Sequence, residues 1–160
     1  MKYLALILFI FLPFTSMVNA DPILNEDTVK AISTEMSDAF KNGDITTFEK
    51  YYYSGSDITI DTNPDVHQGE KKISYDELMK MTEMAFSMMK NTEIHEQILS
   101  ISVDTQKNEA IIEEKTIATV EMMGMKLEDI SINQTTYGIV NGEIKVLQSK
   151  DQLIKTGLVQ

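Results

Sequence analysis

Glu114 is the carboxylate whose position invites chemistry. Between Ala110 and Met122 the residues alternate as in a strand. Ala110, Ile112, Thr116, Ala118 and Val120 share one face with Glu114, while Glu113, Lys115, Thr119 and Glu121 share the other. A charge on an apolar face is costly unless it is paired or lines a wet cavity. Desolvation there raises the carboxyl pKa, which suits a general base. A bulge turning Glu114 outward would remove that role. His95, at the start of the preceding strand, is the second candidate base; His67 lies in a polar loop. A lone histidine also serves as a surface or structural residue. The two histidines have no zinc-motif spacing around them, and no metal or other cofactor is expected.

Tyr51, Tyr52 and Tyr53 cannot all face one side of a helix, so packing and hydroxyl donation divide among them. Met81, Met84 and Met88 recur at helical spacing, where thioethers fill core space or adaptable pocket walls. Soft Met clusters also bind Cu(I), but this spacing is that of a core stripe. Tyr51, Tyr52, Met81, Met84 and Met88, with Gln148 on the closing strand, are the candidate ligand contacts. No nucleophile elbow, phosphate loop or dinucleotide fingerprint occurs. Asn133-Gln134-Thr135 matches a glycosylation sequon but falls within an expected strand.

These residues must be held by a chain of 160 residues with a net charge of −11. All 14 of its cationic side chains are Lys, and it has no Cys. Disulfides, thiolate metal sites and cysteine nucleophiles are excluded. An acidic chain without Arg is a poor partner for nucleic acid. At the N-terminus, Lys2 precedes a nearly all-apolar run from Tyr3 to Phe14, broken by Pro13, and then the small-residue end Val18-Asn19-Ala20. The run is too short to span a bilayer, so it reads as a cleaved secretory signal peptide. Residues 1–20 are therefore expected to be removed, leaving 21–160 as a single domain with no membrane attachment. Losing those 20 residues, Lys2 among them, takes the 160-residue chain to 140 and the charge from −11 to −12. The expected location is the periplasm or the extracellular space.

Within 21–160, Asp27-Thr28 offers a helix N-cap before Val29, Ile32, Met36 and Phe40, and Asn42-Gly43 stops that helix. Asp44 caps a shorter helix carrying Ile45, Phe48, Tyr51 and Tyr52. Asp57 to Asp61 reads as a strand and Thr62 to Lys72 as a polar loop. Ser74-Tyr75-Asp76-Glu77 is a capping box opening a third helix that runs to about Lys90, with Leu78, Met81, Ala85 and Met88 as its stripe. Four long strands follow: 94–103, 110–122, 125–140 and 143–154. Asn141-Gly142 marks a type I′ hairpin turn. The apolar alternation slips after Ile98 and again near Ile130, so a bulge is expected at each place. The class is α+β: three N-terminal helices packed on a strongly curved, mainly antiparallel sheet, a cone with a central pocket.

This element order resembles the nuclear-transport-factor-2-like superfamily, which includes ketosteroid isomerases, SnoaL-type cyclases and scytalone dehydratase. The likeness is carried by Phe40-Lys41-Asn42-Gly43-Asp44 between the first helices, by Tyr51 to Ile60, by Gly69 to Ile73 before the third helix, and by Gly138 to Val146 at the closing hairpin. It implies a conical pocket that takes a small apolar or amphipathic molecule or a peptide. It also implies, as the alternative, a lyase, isomerase or cyclase using a pocket carboxylate or histidine. The isomerase pattern of an Asp base facing Tyr and Asp donors does not map onto this chain. A third reading is a protein-binding module of inhibitor or immunity type, steered by its negative charge toward a basic partner. Pairing through the outer sheet face, common among such folds, implies a homodimer. Edman sequencing of the exported protein is expected to start at Asp21; a start at Met1 overturns the signal-peptide reading.

Overall fold

The computed structural model describes residues 22–61, 69–122 and 124–159. The expected leader, residues 1–20, and His67 lie outside them. Three helices, α1 (Glu26–Asn42), α2 (Ile45–Tyr51) and α3 (Tyr75–Met88), pack on one six-stranded sheet. The strands are β1 (Asp57–Asp61), β2 (Glu70–Ile73), β3 (Met89–Asp104), β4 (Glu109–Met122), β5 (Met125–Val140) and β6 (Glu143–Leu158). Their order in the sheet is β2-β1-β6-β5-β4-β3. Every pairing is antiparallel except β1 with β6. The sheet stays open and curls around the helices as a cone.

The local signals work largely as the residues suggest. Ser74 and Glu77 form the reciprocal capping box of α3. Asn141 and Gly142 take φ of 53° and 79°, the positive values a type I′ turn demands of both central residues. Gly43 closes α1 at φ 67°, its N–H reaching the carbonyls of Ala39 and Phe40. The start of α1 differs from expectation. Asn25, not Asp27, is the N-cap, accepting from Thr28 N at 2.8 Å. Glu26 and Asp27 instead occupy the first turn, where the helix dipole favours acids. Residues 70–72, expected as the end of a loop, join Ile73 in β2 because Ile58, Thr59, Ile60 and Asp61 pair with residues 70–73 across an antiparallel register. Helix α3 ends at Met88, before Lys90, since β3 begins at Met89 opposite Met122.

The core lies where α1 crosses the ends of β4, β5 and β6. Val29 and Ile32 pack there with Ala110, Ile112, Tyr137 and Val146. Val29, Ile112 and Val146 are fully buried. A second contact fixes the rotation of α3. Phe86 meets Phe40 edge-on at 5.4 Å and Phe48 at 5.9 Å between ring centroids. That turns Met79 and Thr82 inward and leaves Met81 41% and Met84 58% exposed, so the expected stripe through Met81 is displaced around the helix.

Both irregularities occur near their expected places, with the second on a different strand. Leu99 is the unpaired residue between the Ile98–Glu114 and Ser100–Glu113 pairs, so β3 changes its inward set there. Near Ile130 the extra residue is Ile154 of β6, and Leu147 of β6 is a third. Strand β5 is therefore unbulged and its register with β4 is continuous. From Asp129 to Ile139 its odd residues face inward, polar ones included.

Truncating Ile112 tests this core. Ile112→Ala is expected to cost about 2–5 kcal/mol and Ile112→Val about 0.5–1.5 kcal/mol, read from urea unfolding midpoints. Equal, sub-kcal effects of both would show that the site collapses freely and is not the packed centre.

Candidate functional site

The wide part of the cone encloses a cavity of about 370 Å³. The helices provide an apolar wall: Met36 and Phe40 from α1, Phe48 from α2 with Tyr52 at its C-cap, Leu78 from α3. Ile58 and Ile60 of β1 and Ile94 of β3 continue it. The floor, from β4 to β6, is polar. Thr116, Ser131, Asn133, Thr135 and Ser149 face the space. Asn133 Nδ2 donates to Thr116 Oγ1 at 2.8 Å, and Ser131 Oγ donates to Asn133 Oδ1 at 3.3 Å. Four carboxylates stand among them: Glu96, Glu114, Asp129 and Asp151.

Glu114 is half-buried, and its Oε1 accepts from Ser33 Oγ of α1 at 2.5 Å. Burial pushes its carboxyl above the usual range, and the Ser33 hydrogen bond opposes that shift. Partial burial also raises Glu96, with the charge of Glu114 adding to it; Ser37 and Lys41 act the other way. The Ser37 hydroxyl stands near Glu96 without the geometry of a hydrogen bond and is left without a partner. Solvent reaches Asp151 from the open side, yet the surrounding wall crowds its carboxyl and pushes it up to about 6; Asp129 adds to the rise and Ser131 opposes it. Burial raises the Tyr52 phenol, whose hydroxyl donates to Ser149 Oγ at 3.2 Å. Tyr137 is 3% exposed. Burial above all, then the nearby Tyr52 and Glu114, keeps it protonated.

Of the residues singled out from the sequence, Glu114 and Tyr52 line this cavity. His95 does not. It pairs with Ile117 on the outer, exposed face of the sheet, because its neighbours Ile94 and Glu96 take the inner one. Gln148 pairs with Thr136 on that same outer side and is exposed. Tyr51 is buried in the core, and its hydroxyl donates outward to Glu35 Oε2 at 2.5 Å beside the Lys50–Glu35 ion pair. Met81 and Met84 point to solvent and Met88 is half-buried off the cavity, as the rotation of α3 requires.

Residues the sequence reading passed over complete the site. Ser33 and Ser37 lie one helical turn apart on α1 and open onto the cavity between the apolar positions. Their small polar side chains inside an apolar stripe are the available signal. Asp129, Ser131, Asn133 and Thr135 were legible only as an alternating polar face, which a strand ordinarily turns to water.

No family model matches the sequence, and no curated protein matches it. The fold, in contrast, has clear counterparts among solved structures. A conserved protein from Planctomyces limnophilus superposes with a TM-score of 0.69 at 10% identity, over 84% of this chain and 97% of its own. A protein named for scytalone dehydratase from Novosphingobium aromaticivorans gives 0.66 at 12% identity, over 84% and 87%. A nuclear-transport-factor-2-like protein from Cytophaga hutchinsonii gives 0.60 at 13% identity, over 82% and 100%. The chain thus has the nuclear-transport-factor-2-like fold. It is an α+β cone around a pocket.

The raised carboxyls give a signed pH dependence. The folded pKa of Asp151, about 6, lies above its ordinary 3.8. The stability this group contributes is complete below that ordinary value and is lost as pH rises through about 6. Asp151→Asn is expected to flatten the fall in stability between pH 4 and pH 7, measured by urea midpoints. Glu114→Gln, which keeps shape and the acceptor for Ser33, is expected to leave stability at pH 7 unchanged or raise it by about 1 kcal/mol. A clear loss in both variants would mean that the charged forms are well paired in the folded protein.

Proposed function

We propose that this domain binds a small amphipathic molecule in its cavity. The observation that carries the reading is the two-sided lining: an apolar wall of Met36, Phe40, Phe48 and Leu78 facing a polar floor on β4, β5 and β6. Small-molecule sites are concave, largely apolar and supplied with a few placed polar groups. A packed core would have filled the same space with side chains. The signal-like residues 1–20 support a role outside the cytoplasm, and among the described residues no helix is long and apolar enough to cross a membrane.

A catalytic reading of the same site rests on Glu114. A half-buried carboxylate with a raised pKa, oriented by Ser33 and near Tyr137, has the environment of a general base facing a phenolic donor. One protein of this fold is named for a dehydratase, so the scaffold is compatible with such chemistry, while fold alone does not assign it.

Native mass spectrometry of the protein purified from its own host tests the binding reading. A retained small-molecule adduct is expected, and it should be absent from Ala118→Phe, which fills the cavity from β4. A bare mass under gentle desolvation, unchanged after exposure to host extract, would overturn the reading. An adduct turned over by the native chain but retained unaltered by Glu114→Gln would favour catalysis.

A further inference from the structure

We propose that the molecule this cavity accepts is an organic cation, an alkylammonium headgroup carried on an apolar body. The proposal rests on the pocket reading above and names its ligand class.

The charge balance of the lining points there first. Glu96, Glu114, Asp129 and Asp151 all face the cavity, and no Lys or His does so among the described residues. The cation whose field reaches Glu96 is Lys41, outside the lining and already paired with Asp38 at 3.3 Å. Glu114 repels Glu96 and Asp129 repels Asp151, and the crowded carboxyls of Glu96, Glu114 and Asp151 have no ion-pair partner among the described residues. A ligand that brings positive charge removes both costs. A neutral ligand removes neither, and an anion makes both worse.

The second observation is independent of charge. Ser37 Oγ is buried, lines the cavity and has no hydrogen-bond partner. Ser37 is 6% exposed, and Tyr137, at 3%, also lines the cavity. Buried polar groups in folded proteins are almost always satisfied, so an unpartnered hydroxyl in the cavity wall marks a missing partner. An ammonium carries three donors and no acceptor. Carboxylate oxygens of Glu96 and Glu114 and the hydroxyl oxygen of Ser37 are acceptors placed to receive them. The Tyr137 ring adds an aromatic surface, which attracts cations.

The geometry also favours an organic cation over a metal ion. Among the described residues no three of the carboxylates converge as a metal cage would. Glu114 and Asp151 are both register partners of Asn133, on strands flanking β5. Two strand spacings separate their backbones by about 9–10 Å. The apolar wall of Met36, Phe40 and Phe48 lies opposite and suits a hydrocarbon body.

Isothermal titration at pH 7.5 of the mature chain with n-hexylammonium, 1-hexanol and hexanoate reads the preference directly. Hexylammonium is expected to bind at least about tenfold more tightly than hexanol, the effect of one charge-assisted hydrogen bond, and hexanoate not at all. In Glu96→Gln with Glu114→Gln the preference for the amine should collapse toward unity. Circular dichroism checks that this pair of substitutions leaves the fold intact, and Asp129→Asn with Asp151→Asn provides a second charge-removing pair. Hexanol binding as tightly as the amine, or an amine preference unchanged in both pairs, would overturn the cationic assignment and leave the pocket reading standing. Absence of binding by all three probes would remove the assignment, and a ligand-free mass in the host-purified protein would remove the pocket reading with it.

Discussion

The burial of one face of α1 against the ends of β4, β5 and β6 is the contact on which the molecule depends. Val29 and Ile32 settle onto Ala110, Ile112, Tyr137 and Val146. That patch closes the narrow end of the cone and sets how far the helix stands from the rest of the sheet. Because the strands are long and curved, the same helix cannot touch the floor along its whole length. Past Ile32 its side chains face open space, and Ser33, Ser37 and Phe40 become cavity wall. One apolar contact therefore stabilises the fold and creates the void.

The floor of that void carries its own tension. Strand β5 turns Asp129, Ser131, Asn133 and Thr135 toward the helices, where sheet proteins ordinarily present apolar residues. The hydrogen bonds from Asn133 to Thr116 and from Ser131 to Asn133 satisfy part of this polarity. Glu96, Glu114 and Asp151 are satisfied less well, and their raised pKa values record the shortfall. Such local conflicts between residue type and environment concentrate at functional sites, where they persist because the rest of the fold holds them. The ion pairs among the described residues lie elsewhere, on the outer surface, where they contribute little to stability.

Electrostatics and packing meet at α1. Ser33 ties the helix to Glu114 across the cavity at 2.5 Å. The aromatic cluster of Phe40, Phe48 and Phe86 ties all three helices together on the opposite side. The helical wall is thus anchored at its polar and apolar margins, and a ligand entering between them meets a preformed site.

The sequence alone determined what is local. The capping box at Ser74 and Glu77, the Asn141-Gly142 turn, the alternation of β4 and the position of Glu114 among its apolar neighbours all depend on residues a few positions apart. Those signals were enough to place three helices on a curved sheet, and to identify a carboxylate on the inner face. Only the tertiary structure decided the rest. The rotation of α3, which moved Met81 and Met84 to solvent, is set by Phe86 docking on Phe40 and Phe48, more than thirty residues away. The short strand β2 exists because β1 offers it an edge. The slip near Ile130 belongs to β6 and not to β5, since a bulge is a mismatch between two strands and one strand's pattern cannot say which of them carries the extra residue. With β5 unbulged, its polar residues stayed inside, and the four carboxylates that define the cavity came together from four separate strands.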